Sequence, residues 1–196
     1  GVEHKLYALL TCVARKSKRY RIPVLNGSRS SEANRLRRAG LGLLGNVVGA
    51  KKAVACIEDT AVALSDLKPF IMEFSEIMKG YDQKAVYYAH AGAGELHLRP
   101  ILNLKNQSDV VLFRAITTDV AHLTKKYQGS FSGEHGDGIV RAEFIPFLIG
   151  NKNYDLLRKV KAVCDPNHLF NPHKSDDTFP MDRRQRIEPG RTEPEI

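Results

Sequence analysis

Apolar residues recur at helical spacing through HKLYALLTCVARKSKR, which predicts a first helix with a basic final turn, and RIPVLNG then reads as a short extended piece closed by Asn26-Gly27. SSEANRLRRAGLGLL predicts a second helix, with Ser30 or Ser31 as its cap and glycines that weaken its far end. AVACIED has the pattern of a buried strand. In SDLKPFIMEFSEIMKGY the spacing is helical again, with Ser65 as the capping residue, Pro69 in the early turns and Gly80 near the end. KAVYYAHAGAGELHLRPIL alternates as strand, turn and strand. The polar NLKNQSD leads into VVLFRAITTDVAHLTKKYQG, a helix with a basic last turn before Gly129. SFSGEHGDGIVRAEF reads as glycine-interrupted strand or loop, and YDLLRKVKAVC as a last helix closed by Asp165-Pro166.

Strands and helices mix without strict alternation, which predicts an α+β fold on an antiparallel sheet rather than a doubly wound one. A chain of 196 residues with 42% hydrophobic residues can bury a real core. Residues 1–174 are expected to form that domain. After Lys174 the composition turns charged and proline-bearing, with almost nothing to bury, so residues 175–196 are expected to be a linker or an extended tail. No apolar run of about eighteen residues exists to span a membrane and no secretory leader pattern stands at the start, so the cytoplasm is the expected compartment. Cys12, Cys56 and Cys164 form no CxxC pair and read as small buried hydrophobes. The net charge of +8 suits a solvated basic face or an anionic small-molecule site at least as well as nucleic acid, for which no motif is present.

The candidate chemistry lies in HAGAGELH. If a two-residue Ala93-Gly94 turn joins the strands, His90 and His97 are direct cross-strand partners with Cβ atoms about 4.5–5.5 Å apart, close enough to converge on one ion. Alternation then turns Leu96, Leu98 and Leu102 to the core and His97 and Arg99 to the opposite face. SGEHGDG offers a third donor in Glu134, and an extended segment would point His135, a candidate general base, to the other side. The same residues also read as the polar surface of a hairpin and an ordinary turn. GLGLLG fits the glycine pattern of dinucleotide binding, but what precedes it is helix-like rather than a buried strand. Arg35, Arg37 and Arg38 read either as a solvated helix face or as carboxylate-binding groups.

Taken in order, LRRAGLGLL, IEDTAV, HAGAGELHLRP, SGEHGDGIVR and CDPNHLFNPHK resemble the C-terminal half of FAD-linked oxidases of the D-lactate dehydrogenase, glycolate oxidase and D-2-hydroxyglutarate dehydrogenase group. Within it, the similarity is greatest to the bacterial D-2-hydroxyglutarate dehydrogenase type fused to an iron–sulfur domain. The resemblance implies a cap or substrate domain, an antiparallel sheet with helices on one side, that covers FAD held by a separate domain. It implies that His90, His97 and Glu134 bind a divalent ion, often zinc. It further implies that His135 takes the substrate's hydroxyl proton, that Arg37 binds a substrate carboxylate, and that His135 and Asn171 lie by the flavin. The implied reaction converts a D-2-hydroxy acid, of the D-2-hydroxyglutarate or D-lactate class, to the 2-oxo acid with hydride transfer to FAD. An iron–sulfur cluster would belong to a further domain, and a homodimer is allowed. The chain starts inside what would be the second half of such a protein, so it is expected neither to retain FAD nor to turn over alone. The family motif runs close to HxGDGNLH, where this chain has Ala93 and Glu95, and Ile57 stands where some relatives carry a substrate-binding lysine. A basic nucleic-acid-binding module and a flavin-independent metal hydrolase are the alternative readings.

Overall fold

The computed structural model describes residues 2–16, 23–46, 48–183 and 189–190. The chain divides into two units, Gly1–Asn46 and Val47–Ile196. The first consists of helices α1 (Val2–Lys16) and α2 (Ser28–Gly45). Helix α2 starts earlier than its serines suggest: the amides of Ser30 and Ser31 both donate to the Gly27 carbonyl, at 3.1 and 3.3 Å, so the serines lie inside the first turn. Of the segment before it, Arg21 and Ile22 lie outside the described residues, and residues 23–26 form no strand. The glycine run Gly40 to Gly45 is the end of α2, with helix rather than strand ahead of it, which removes the dinucleotide-binding context.

The second unit is built on strand β4 (Glu95–Leu102). Strand β3 (Ala85–His90) pairs antiparallel along one edge of β4; β1 (Lys52–Ala53) and β2 (Ile57–Ala61) pair antiparallel in line along the other. AVACIED therefore supplies strand in two pieces, with the Val54 amide still bonded to the Pro100 carbonyl at 2.8 Å between them. Helices α3 (Leu67–Gly80) and α4 (Gln107–Lys126) cover one face of this sheet, as the α+β reading requires. Leu96, Leu98 and Leu102 point into that layer and meet Phe70, Phe74 and Met78 of α3 and Phe113, Ile116 and Val120 of α4, all buried. Alternation along β4 thus does what its sequence predicts. The cap of α3 is Asp66, one residue beyond Ser65, whose hydroxyl bonds to the Asp66 carboxylate instead.

After α4 come three helices, α5 (Gly138–Arg141), α6 (Ile145–Ile149) and α7 (Asn151–Cys164). No residue of α7 is buried, and Leu156, Leu157, Val160 and Val163 are exposed on it. This corrects the reading of the cysteines: Cys56 is buried in the core, whereas Cys12 on α1 and Cys164 on α7 are exposed because those helices leave these positions uncovered. Beyond Lys174 the described residues through Arg183 lie against the fold. Met181 joins the core at 3% exposure, and the Arg114 guanidinium donates to both oxygens of Asp182, at 2.6 and 3.0 Å. Among the described residues, no helix is long and apolar enough to cross a membrane.

The turn after α7 is tied by Asp165, whose buried carboxylate accepts from the Leu169 and Phe170 amides at 2.8 and 2.9 Å and from the Lys161 ammonium. Lys161 first, then these amides, holds the Asp165 carboxyl at about 2 against an ordinary 3.8. Because the folded value is depressed, its contribution to stability is complete above the ordinary value and is lost as pH falls through about 2. Acid unfolding curves of the native chain and of Asp165→Asn are expected to differ in that window. Replacing Leu98, fully buried between sheet and helices, with Ala is expected to cost ~2–5 kcal/mol in urea unfolding. Val163→Ala, at 82% exposure, is expected to stay within ~0.5 kcal/mol.

Candidate metal centre

The face of the sheet away from α3 and α4 is polar. Tyr88 and His90 project from β3, Glu95, His97 and Arg99 from β4, and Glu58 from β2, with His97 opposite both Tyr88 and Glu58. The hairpin differs from a two-residue turn. A turn of 3-10 helix over Ala91–Ala93, closed by Gly94 at φ +75, shifts the register so that His90 faces Glu95 rather than His97. Gly94 is required there, since a Cβ would stand 2.1 Å from the Val62 carbonyl oxygen. A shift of two residues changes the partner and preserves the face. The histidines are therefore diagonal neighbours, with ring centroids 5.2 Å apart.

Glu134 arrives from the segment after α4. Ser130 pairs with Ala61 at the free edge of β2, and the chain then leaves the edge to wrap around Asp59. Asp59 is the extra residue of a β-bulge between Glu58 and Thr60, is fully buried, and has φ +80. Its carboxylate accepts from the Ser132 hydroxyl at 2.7 Å and from the Glu134 and His135 amides at 2.9 Å each; its carbonyl accepts from the Gly133 amide at 2.7 Å. The buried Arg141 donates to the carbonyls of Glu58 and of Gly136. The segment is thus a tight loop and not extended, which corrects the expectation that His135 points away from Glu134. The Glu134 Oε1 atom lies 3.5 Å from His90 Nε2, 3.7 Å from His97 Nε2 and 3.4 Å from His135 Nε2.

Burial and charge set the character of these groups. Burial lowers the proton affinity of His97, which favours the neutral imidazole a metal requires. Burial raises Asp59, but the donors Ser132, His135, Glu134 and Glu95 outweigh it and hold the carboxyl down at about 2. Burial, the hydrogen bond shared with Asp59 and the charge of Glu134 push Glu95 up to about 7. His97 Nδ1 and Glu95 Oε1 are inaccessible to water and have no hydrogen-bond partner, and Glu58 Oε1 stands 3.9 Å from that Nδ1. Glu58 also ion-pairs with Arg99.

Two imidazoles and a carboxylate fit a divalent cation of the zinc or manganese type. His90, His97 and Glu134 offer donor atoms all within 4.8 Å of one another, the span of ligands around one ion. Arg37 belongs to the first unit, exposed on α2. Asn171 is exposed in the turn held by Asp165, at φ +47. Asp59 and Arg141 are the residues that motif spacing does not reveal. Their signal is faint: in IEDT both Ile57 and Thr60 are core residues, a three-residue interval that strict alternation forbids and a bulge explains.

Residues 22–175 match the family described as FAD linked oxidases, C-terminal domain. The chain is 40% identical over 139 residues to a D-2-hydroxyglutarate dehydrogenase of Escherichia coli (strain K12), an alignment covering 71% of this chain and 14% of that protein. It is 38% identical over 152 residues to the Haemophilus influenzae D-2-hydroxyglutarate dehydrogenase, covering 78% of this chain and 14% of the relative. Against the glycolate oxidase subunit GlcD of Bacillus subtilis it is 25% identical over 151 residues, covering 77% of this chain and 31% of the relative. The matched part of the chain thus spans about a seventh of the length of these two D-2-hydroxyglutarate dehydrogenases. A match from residue 22 to residue 175, across the sheet, the hairpin and the Glu134 loop, means that the chain belongs to the C-terminal domain family of the FAD-linked oxidases.

Proposed function

We propose that this chain is the substrate- and metal-binding part of a flavin-dependent dehydrogenase that oxidises a D-2-hydroxy acid, of the D-2-hydroxyglutarate or D-lactate class, to the 2-oxo acid. The observation that carries the reading is the convergence of His90, His97 and Glu134 with His135 beside them. His90 Nε2, His97 Nε2 and Glu134 Oε1 would hold the ion, zinc before others. When bound, the ion supplies Lewis acidity toward the substrate's oxygens, and FAD, held mainly by a region outside these residues, supplies the oxidising power.

The chain's own residues do the rest. Glu134 brings negative charge to the pair of imidazoles, and the buried wall around His97 keeps that ring neutral and oriented. His135 Nε2, 57% exposed on its side chain and 3.4 Å from Glu134, accepts the proton of the 2-hydroxyl. Arg37 binds a substrate carboxylate, while Asn171 meets the flavin. Relatives of which the aligned residues make up only 14% support a flavin-holding region elsewhere in the working enzyme, and an iron–sulfur cluster would sit in yet another domain. The working enzyme is assigned to the cytoplasm.

Metal analysis tests this directly. The native chain is expected to bind about one zinc or manganese ion, and His97→Ala or Glu134→Gln is expected to weaken binding by more than the ~10–100-fold that loss of an outer-sphere partner costs. In a preparation that includes the flavin-binding region, His135→Ala is expected to lower kcat on the 2-hydroxy acid by ~10²–10⁴-fold. Arg37→Met should raise KM by about tenfold or more and leave kcat nearly unchanged. A native protein that binds no divalent ion while its substrate is present, or that hydrolyses esters without flavin, would sink the reading.

A further inference from the structure

We infer that Asp59 is the positioning residue of this centre: the bulge in β2 exists to turn its carboxylate onto the loop Ser132–Gly136, and that carboxylate sets where Glu134 and His135 stand relative to the two strand histidines. The inference takes the identity of the metal centre from the proposed function, but its core, the ordering of the loop, is independent of any metal.

The argument starts from the sheet edge. Ala61 and Ser130 exchange both backbone hydrogen bonds, at 2.8 and 2.9 Å, so the segment after α4 begins as a strand added to β2. Continued pairing would carry Glu134 along that edge, with side chains alternating to opposite faces. The bulge prevents this. With one extra residue in β2, Glu58 still faces His97 and Thr60 still faces Leu96, while Asp59, at φ +80, is released from both faces and aimed along the edge. There it gathers three donors from successive parts of the loop: the Ser132 hydroxyl and the amides of Glu134 and His135. Two adjacent amides bonded to the two oxygens of one carboxylate fix the two successive peptide planes that meet at the Glu134 Cα. Both side chains then leave from one anchored point.

The other end of the loop is tied to the same strand. Arg141, 6% exposed, donates to the Gly136 carbonyl at 2.6 Å and to the Glu58 carbonyl, and its guanidinium stands 3.5 Å from Asp59 Oδ2. Its charge compensates a carboxylate with no access to water, and a buried carboxylate is tolerated only with such partners. A backbone in the left-handed region at a residue other than glycine costs free energy, and its persistence beside a cluster of candidate ligands supports a positioning role over a packing one.

Two substitutions separate the carboxylate from the backbone. Glycine and asparagine both accept φ near +80, so Asp59→Gly and Asp59→Asn keep the bulge and remove all or part of the acceptor. In the asparagine variant the side-chain oxygen keeps the Oδ2 position, where the Ser132 hydroxyl, the His135 amide and the Arg141 guanidinium all point, and the NH2 group takes the Oδ1 position facing the Glu134 amide, a donor against a donor. Amide hydrogen exchange of the native chain and both variants is the measurement, with far-UV circular dichroism and exchange protection in β4 as the check on folding. In the native chain the Glu134 and His135 amides are expected to be protected. Asp59→Gly should accelerate exchange at both by ~10–150-fold, the worth of a hydrogen bond to a charged group, and Asp59→Asn should do so at Glu134 and spare His135. Zinc affinity of the variants, measured by competition with a chromophoric chelator, should fall ~10–100-fold. If Asp59→Gly folds and leaves both amides protected and zinc affinity unchanged, the residue serves only the bulge and the inference is wrong. Unprotected amides in the native chain would also overturn it. Should Asp59→Gly fail to fold, the selective effect of Asp59→Asn decides alone. If the native chain binds no zinc, the metal reading fails while the exchange data still decide the role of Asp59.

Discussion

Strand β4 is hydrogen-bonded along both edges, and this double pairing governs the rest of the second unit. A strand held on two sides cannot slip or rotate, so its alternation becomes a partition of the molecule. Leu96, Leu98 and Leu102 are committed to the helical layer, and Glu95, His97 and Arg99 to the opposite face. A one-residue slip would bury His97 and Arg99 among phenylalanines and expose three leucines, which the hydrophobic term alone makes prohibitive. The placement of the candidate ligands is therefore fixed by the core behind them.

The polar face has an electrostatic problem that its residues solve in stages. Glu58, Asp59, Glu95 and Glu134 crowd around His90, His97 and His135. Arg99 neutralises Glu58, Arg141 stands beside Asp59, and Glu95 keeps its proton more readily than an ordinary carboxyl. Glu134 is left with imidazoles for company. A carboxylate facing imidazole nitrogens is an arrangement that a divalent cation can complete.

Much of this was legible in the chain. The helices α3 and α4, the hairpin and its leucine face follow from periodicity, because each buries one stripe or one face against a single layer; α1 follows the same helical spacing, with Leu6, Tyr7 and Leu9 exposed. Three details escaped for a common reason, the dependence of a local conformation on a distant segment. Asp59 reads as half of an acidic pair until the loop 73 residues away supplies Ser132 as its partner. Arg141 carries no signal in its own stretch of sequence and gains its partners only where the chain closes on Glu58 and Gly136. His135 points away from Glu134 only if SGEHGDG is extended; of the two forms open to it, strand or loop, the segment takes the loop, bent by a carboxylate that no local pattern announces. Likewise, α7 carries an apolar pattern that the described residues leave uncovered, so its cysteine could not be assigned to a core.

The longer hairpin turn has a consequence for how such motifs are compared. Six residues separate His90 from His97, and the two imidazoles share a face whether the loop between the paired strands takes two of those residues or, as here, four. What must hold is parity: an even number left over once the loop is subtracted. Alignments scored on turn identity will discard sequences that satisfy this arithmetic and keep some that break it, so counting residues across the turn is the sounder filter for locating ligand pairs of this kind.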